Sequence, residues 1–316
     1  MAIQKVVVTP RGFAKCGLEN VRIMEDAGLD VSYNDTGLAY TKEEFYEVTK
    51  DAAGVIVGVE TVDRAYIDAH PALKAVVKFG VGTDNIDLDY CKEKGIFVGR
   101  TIGSNARSVA ETAISFVIGD SKNLYASISS TKEGNWAKLT GYEILGKTIG
   151  IIGFGAIGRI VAQMAAGLGM RVLAYDAFGI DPQVAASLHT EVVALNELIA
   201  QSDFVSLHVP LTPETQNMIS REELGRMKSN AVLINTARGG IVNEADLYDA
   251  LSKGTIRAAY FDVFTSEPPQ PEEPLLKLPN FYLTPHIASR SMEAEKKTAD
   301  MATQIIIDAL TKEHAM

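Results

Sequence analysis

Residues 148–158 read TIGIIGFGAIG, and this stretch decides the fold. An apolar run that ends at Ile152 predicts a buried strand, and Gly153, Gly155 and Gly158 follow it with the spacing of a phosphate-binding turn. The first glycine permits a tight turn, the second lets a pyrophosphate approach the backbone, and the third lets the next helix pack on the strand. The helix start offers unpaired N–H groups to an anion. The stretch therefore predicts a dinucleotide-binding unit.

A carboxylate follows this turn at the distance that a ribose contact requires. Asp176 ends the next apolar run, residues 171–175, about 20 residues after the turn. Its oxygens can accept hydrogen bonds from both hydroxyls of the adenosine ribose. A 2′-phosphate would meet like charge there, and residues 177–179 offer no arginine to receive it. The pattern favours NAD over NADP as cofactor.

Composition excludes several other classes of protein. The chain has 316 residues, which suits two domains, and a net charge of −10 without a basic stripe, which argues against nucleic acid as a partner. Neither a signal-peptide pattern nor an apolar stretch of about 18 residues is found, so no membrane association is expected. Cys16 and Cys91 match no metal-ligand spacing. We therefore expect no metal site and a reducing, cytoplasmic setting.

Short apolar runs alternate with polar helical segments, which predicts an α/β fold with parallel sheets covered by helices on both faces. A single long helix is expected from residue 104 past residue 126, and another over residues 289–316, which could return to the first domain. The other predicted strands are 5–9, 31–33, 55–58, 75–79, 96–98, 204–208, 232–235, 258–261 and 281–283, and the other predicted helices are 17–27, 42–50, 64–69, 88–94, 195–201, 221–227 and 244–252.

Three polar residues follow predicted strands in the second half of the chain. Arg238 and His286 each come just after an apolar run, and Glu267 opens a proline-rich loop a few residues past a third. Ligands of open α/β sheets bind beyond the carboxyl ends of the strands. A histidine can donate the proton that a ketone needs on hydride transfer, a carboxylate can fix its tautomer, and an arginine can hold a substrate carboxylate. Each residue alone fits a structural or surface role, but together they predict a catalytic set.

Other polar residues allow more than one interpretation. His208 ends a predicted strand and either lines the adenine side of a cofactor site or packs at the strand end. Asp262 is placed to accept a hydrogen bond from the nicotinamide amide. His70, His189 and His314 show no partner pattern, so we expect them on the surface.

The order of these motifs resembles the D-2-hydroxyacid dehydrogenase family over nearly the whole chain. Residues 78–87 and 105–111 are most similar to the phosphoglycerate-dehydrogenase-like branch. The expected form is a short one, without the C-terminal regulatory domain. The motifs that carry the resemblance are residues 153–158 with Asp176, 208–211, 236–240, 262–264 followed by Glu267 and Pro268, and 285–288.

The resemblance implies two Rossmann-like or flavodoxin-like, doubly wound parallel-sheet domains with a cleft between them. The substrate domain would comprise residues 1–101 plus 288–316, and the NAD-binding Rossmann domain residues 102–287. A homodimer through the NAD-binding domain is expected, with a small anionic 2-hydroxy or 2-keto acid as substrate. His286 would be the general acid/base, Glu267 its partner and Arg238 the carboxylate anchor.

The resemblance also implies binding residues. Lys78 and the backbone of the loop that follows it would bind substrate, because a small anion can reach bare N–H groups beside glycines. The cofactor residues would be Gly153, Gly155, Ala156, Ile157, Gly158, Asp176, His208, Val209, Pro210, Thr236, Ala237 and Asp262, and the substrate residues Lys78, Phe79, Gly80, Val81, Gly82, Asn105 and Arg107.

One departure from the family bears on the substrate. Well-known members carry a basic residue after the third strand, which grips the substrate phosphate, whereas this chain has Glu60 there. Lys78 and Arg107 are candidates to compensate, although Arg107 also fits a helix surface. The expected activity is that of a 3-phosphoglycerate dehydrogenase-like enzyme. The alternatives are a glyoxylate/hydroxypyruvate or sulfolactate-type reductase, a formate or phosphonate dehydrogenase, and a non-catalytic NAD-sensing binding protein.

Overall fold

The computed structural model describes residues 3–312. The chain separates into two compact units. The first unit takes the chain up to Asn105 and again from Arg290, and the second takes Ala106–Ser289. Each unit is built on one parallel sheet, so the predicted α/β class with two doubly wound parallel sheets is confirmed.

The first unit is built on a five-stranded parallel sheet. The strands are β1 Gln4–Val8, β2 Leu29–Tyr33, β3 Gly54–Val57, β4 Ala75–Lys78 and β5 Phe97–Arg100, and the helices are α1 Phe13–Cys16, α2 Leu18–Asp26, α3 Lys42–Thr49, α4 Arg64–Ala69 and α5 Leu88–Glu93. The strands lie in the order β2-β1-β3-β4-β5, so the strand order reverses between β1 and β3. Alternate residues of the strands enter cores on opposite faces, which is why the apolar runs are continuous.

The second unit is built on a seven-stranded parallel sheet. The strands are β6 Thr148–Ile152, β7 Arg171–Tyr175, β8 Thr190–Val192, β9 Phe204–Leu207, β10 Val232–Asn235, β11 Ala258–Phe261 and β12 Phe281–Leu283, and the helices are α6 Ala106–Ser121, α7 Leu124–Lys132, α8 Ala156–Gly167, α9 Pro182–Ser187, α10 Leu195–Gln201, α11 Arg221–Arg226 and α12 Glu244–Ser252, with a 3-10 turn over Pro274–Lys277. The strands lie in the order β12-β11-β10-β9-β6-β7-β8, with the reversal between β6 and β9.

The last helix, α13, spans Met292–Thr311 and belongs to the first unit. Ser291 caps it by accepting a hydrogen bond from the Ala294 amide. Its buried Ala302 and Ile306 join the core that contains Val6 of β1. The expected helix therefore begins later than residue 289, and its last four residues lie outside the described part of the chain. No helix within residues 3–312 is long and apolar enough to cross a bilayer.

Two predictions about local structure are wrong. The single helix expected from residue 104 past residue 126 is two helices, because Asn123 takes a left-handed conformation with φ 52° and donates its side-chain amide to the Thr140 carbonyl. His70, expected on the surface, is 2% exposed. Its Nδ1 lies 2.6 Å from the Tyr66 carbonyl oxygen and its ring stacks on Tyr66, so tertiary partners bury it.

Candidate active site

The glycine turn joins β6 to α8, and its three glycines differ in the space around them. A methyl group on Gly153 would come within 2.5 Å of the His208 carbonyl oxygen, and one on Gly158 within 2.1 Å of the Gly153 carbonyl oxygen. A methyl group on Gly155 would meet nothing within 4 Å. The first and third glycines therefore permit close packing, whereas the second leaves the backbone open. α8 has no side-chain cap within the described structure, so its first amides face the open side.

The carboxylate of Asp176 lies against this turn. Its Oδ2 accepts a hydrogen bond of 2.8 Å from the Phe154 amide, and its Oδ1 accepts one of 3.0 Å from the Phe178 amide. Each carboxylate oxygen can accept a further hydrogen bond. The acid at the end of β7 thus holds the glycine turn in place and keeps lone pairs for hydroxyl groups of a ligand.

The predicted catalytic residues follow strands on one side of the second sheet. Arg238 follows β10 and His286 follows β12, with β11 between these two strands. His286 Nδ1 and Glu267 Oε2 lie 2.7 Å apart, and both side chains are partly exposed. The other oxygen of Glu267 accepts a 2.9 Å hydrogen bond from the Phe264 amide. The structure therefore brings the histidine and the acid into direct contact.

The backbone at His286 is unusual. Its φ of 53° lies in the left-handed region, which costs a residue other than glycine on the order of 1–3 kcal/mol. Its amide donates to the carbonyl oxygens of Asp262 and Thr284, both at 2.9 Å. The surrounding hydrogen bonds therefore impose the conformation that directs this side chain.

Two buried residues that the sequence did not assign to this role hold the loops that carry Arg238 and His286. Asn235, at the end of β10, accepts the Ala237 amide at 3.0 Å and donates to the Arg238 carbonyl at 2.8 Å. Asp262, after β11, is 1% exposed. Its carboxylate accepts hydrogen bonds from Thr284 Oγ1 at 2.5 Å, the Ile287 amide at 2.9 Å and the Ala288 amide at 2.7 Å. The sequence signal that could have indicated this role is a polar residue at the end of an otherwise apolar strand.

The comparisons with known proteins agree with this architecture. Residues 114–288 match the family model described as "D-isomer specific 2-hydroxyacid dehydrogenase, NAD binding domain". The chain belongs to the D-isomer specific 2-hydroxyacid dehydrogenase family. It is 41% identical to the D-3-phosphoglycerate dehydrogenase of Methanocaldococcus jannaschii over 93% of its own length, but spans only 56% of that protein. It is 39% identical to the glyoxylate reductase of Korarchaeum cryptofilum, with 84% of this chain and 82% of that protein covered.

The fold also matches solved structures. The crystal structure of the TT0316 protein from Thermus thermophilus superposes with a TM-score of 0.87 at 31% identity, covering 97% of each chain. The match to the family model falls within the second unit, so this unit is the NAD-binding domain and NAD is the cofactor.

The residues of the second unit fit NAD. The strand register places His208 beside Thr236, one residue beyond Leu207 and Asn235. His208 Nδ1 and Thr236 Oγ1 are buried and have no hydrogen-bond partner among residues 3–312. Burial lowers the pKa of His208 to about 4, so the ring is neutral near neutral pH, with Nε2 2.9 Å from Ser206 Oγ. Buried polar atoms are normally satisfied, and a bound ligand at the strand ends would satisfy these.

The predicted substrate residues of the first unit are more engaged than the sequence suggests. Lys78 Nζ donates to the Gly58 carbonyl oxygen and, at 2.7 Å, to Asn85 Oδ1. The expectation of bare amides after Lys78 is wrong for two residues, because the Phe79 amide donates to Val57 and the Gly80 amide to Thr101 Oγ1. The amides of residues 81 and 82 have no hydrogen-bond partner in the described part of the chain.

The two remaining predicted substrate residues lie near the start of α6. Asn105 is partly exposed and is the last residue of the first unit before Arg290. Arg107 is largely exposed and its Nε lies 3.1 Å from Glu111 Oε1, one helical turn away. This contact is what the helix-surface alternative for Arg107 expects.

The glycine turn generates a test of NAD binding. We expect Gly158→Ala to lower the free energy of unfolding by about 2 kcal/mol and to weaken NADH binding, because the methyl group overlaps the Gly153 carbonyl oxygen. Gly167→Ala is the matched control, since a methyl group there meets nothing within 4 Å in the same helix. Thermal unfolding and NADH fluorescence titration measure both effects. Equal NADH affinity in the two variants would contradict the packing argument.

Proposed function

We propose that this chain catalyses the NAD-dependent interconversion of a small D-2-hydroxy acid and its 2-keto acid. The supporting observation is the 2.7 Å contact between His286 and Glu267, beyond the strand ends of an NAD-binding sheet. The non-catalytic NAD-sensing alternative needs no such pair. The chain spans about half the length of the M. jannaschii relative.

The mechanism assigns a task to each side chain. NAD, when bound, supplies or accepts the hydride. His286 moves the proton of the substrate oxygen through Nε2, since Nδ1 faces Glu267. Glu267 fixes the ring orientation through its contact with Nδ1. Arg238 holds the substrate carboxylate. The hydrogen bond from the Asn235 side chain to the Arg238 carbonyl oxygen fixes the backbone of Arg238.

The binding residues keep the roles that the family implies. We propose that Gly153, Gly155, Ala156, Ile157 and Gly158 bind the pyrophosphate, supported by the open backbone at Gly155. Asp176 binds the ribose. His208, Val209, Pro210, Thr236, Ala237 and Asp262 border the rest of the cofactor, and Lys78, residues 79–82, Asn105 and Arg107 contribute to the substrate site. The extents proposed for the two domains are residues 1–101 plus 288–316 and residues 102–287.

The first unit favours a substrate with a small, unphosphorylated tail. Ligands of such sheets bind where the strand order reverses, which is at the ends of β1 and β3. There Glu60 is 9% exposed and its Oε2 accepts the Gly58 amide at 2.7 Å, while Lys78 is engaged with Gly58 and Asn85. A dianionic phosphate beside Glu60 would be repelled. Among the proposed activities this favours glyoxylate or hydroxypyruvate over phosphohydroxypyruvate.

A panel of 2-keto acids reduced with NADH tests the activity and the substrate. We expect turnover of glyoxylate or hydroxypyruvate with a higher kcat/KM than phosphohydroxypyruvate or sulfopyruvate. The opposite preference would overturn the role of Glu60 and would point to Arg11, an exposed cation after β1, as the residue that binds the anionic tail. Absence of turnover with every keto acid would overturn the proposed activity.

Two substitutions test the catalytic set with the best substrate of that panel. We expect His286→Ala and Arg238→Ala to lower kcat/KM by about 1000-fold or more, because each removes a transition-state contact, while NADH binding persists. His189→Ala is a matched control for His286, since His189 is exposed and shares the left-handed backbone with φ 51°. Arg226→Ala, which breaks an exposed pair with Glu222, controls for Arg238. Turnover near the wild-type value in either test variant would exclude the assigned role.

Cofactor choice is tested at Asp176. We expect Asp176→Ala to lower the ratio of kcat/KM with NADH to that with NADPH by about tenfold or more, equivalent to about 1.4 kcal/mol. Asp176→Asn separates the causes, because an amide oxygen can still accept the Phe154 amide while the charge is lost. A ratio that changes with alanine but not with asparagine would show that turn geometry, not charge, selects NAD.

We also propose a homodimer through the NAD-binding domain. Residues 118–145 carry exposed apolar side chains in one stretch, including Ile128 at 53%, Trp136 at 80% and Leu145 at 70%, and α7 has no buried residue. Clustered exposed apolar side chains are typical of protein–protein interaction sites. A cytoplasmic setting is proposed as well, supported by the free thiols of Cys16 and Cys91.

The dimer is tested by mass in solution. We expect Ile128→Asp to convert the dimer to a monomer, measured by sedimentation at micromolar concentration, because a charge would be buried at the interface. Leu38→Asp is the control, since Leu38 is 71% exposed in the first unit. A wild-type monomer, or a dimer that survives Ile128→Asp but not Leu38→Asp, would exclude this surface.

A further inference from the structure

Asp262 has more contacts with the histidine loop than a cofactor contact requires. Its carboxylate accepts hydrogen bonds from Thr284 Oγ1, the Ile287 amide and the Ala288 amide, and its carbonyl oxygen accepts the His286 amide. These donors surround His286 in the chain on both sides. The residue is 1% exposed, so water does not replace these contacts.

The backbone of Asp262 is also hydrogen-bonded to the sheet. Its amide donates to the Asn235 carbonyl oxygen at 2.9 Å, which extends the β10–β11 pairing by one residue. Asp262 therefore connects the paired ends of β10 and β11 to the loop after β12. The left-handed backbone of His286 lies inside this set of hydrogen bonds.

We propose that Asp262 is a positioning residue for His286. It fixes the loop over residues 284–288, so that the imidazole meets Glu267 on one side and offers Nε2 on the other. The inference rests on the proposed function, because only the proposed activity makes the histidine orientation matter. The family implies a nicotinamide contact for this residue. The positioning role is separate from that contact, because it depends on hydrogen bonds within the chain.

The two roles of Asp262 have different consequences. Oδ1 accepts two hydrogen bonds and Oδ2 accepts one, so one lone pair remains for a ligand. If the ligand contact dominated, removing the charge would weaken NADH binding and turnover in parallel. If positioning dominates, kcat falls while NADH affinity changes little, because misplacing a catalytic group by about 1 Å can lower the rate by about 100-fold.

Asp262→Asn tests the proposal with two independent readouts. The side-chain NH₂ of asparagine would replace one of the two acceptor oxygens and would face at least one donor, such as the Ala288 amide that now donates to Oδ2. We therefore expect faster hydrogen–deuterium exchange over residues 284–288 whether or not substrate is turned over. With the best keto acid we expect kcat to fall about 100-fold and the NADH dissociation constant to change less than about threefold. Asp203→Asn is the matched control, because Asp203 also accepts a backbone amide, from Thr148 at 2.8 Å, away from the catalytic loops.

Thr284 keeps the proposal testable if Asp262→Asn fails to fold. Thr284→Val removes one donor to Asp262, so we expect faster exchange of the loop and a smaller loss of kcat, of about tenfold, which Thr284→Ser restores. Unchanged exchange in Thr284→Val and Asp262→Asn, or a loss of kcat matched by an equal loss of NADH affinity, would overturn the positioning role. If the wild-type chain reduces no keto acid, the proposed function fails, while the exchange measurement still decides whether Asp262 holds the loop.

Discussion

The loops after β10, β11 and β12 begin at the carboxyl ends of these strands. Several of their backbone amides lie beyond the last hydrogen bond between strands. These amides depend on side-chain acceptors, which come from the same loop or from the end of a neighbouring strand. Asn235 accepts for the loop of Arg238, Glu267 accepts the Phe264 amide, and Asp262 accepts two amides beyond His286. Because these acceptors are buried or anchored, the side chains that face a ligand can remain partly exposed without losing their orientation.

The same solution recurs at the cofactor turn. Asp176 accepts the Phe154 amide from within the glycine turn, so the acid proposed to bind the ribose also fixes the loop proposed to bind the pyrophosphate. Gly153 packs directly on the His208 carbonyl oxygen, which connects this turn to the end of β9. In the proposed function, cofactor choice and loop geometry therefore both depend on this one carboxylate.

Much of this could be predicted from the sequence, because the informative signals are local. The glycine spacing in residues 153–158 and the acid that ends β7 each report a short stretch of backbone with a recognisable local pattern, and the histidine that follows β12 is located by the apolar run before it. The gathering of site residues then follows from the rule that ligands bind at the carboxyl ends of parallel strands. The contact of His286 with Glu267 was expected from the resemblance to the family.

What the sequence missed depends on partners far along the chain. The helix break at Asn123 is stabilised by Thr140, and the engagement of Lys78 depends on Gly58 and Asn85, none of which a periodicity argument connects. The role of Asp262 was hidden for a similar reason. Its position after β11 indicates a site residue, but whether it faces a ligand or holds a loop depends on where the chain returns after β12, 22 to 26 residues later. A buried acid holds a loop when the protein itself presents several donors to it, since each lone pair that the chain already satisfies is one that a ligand does not need to satisfy.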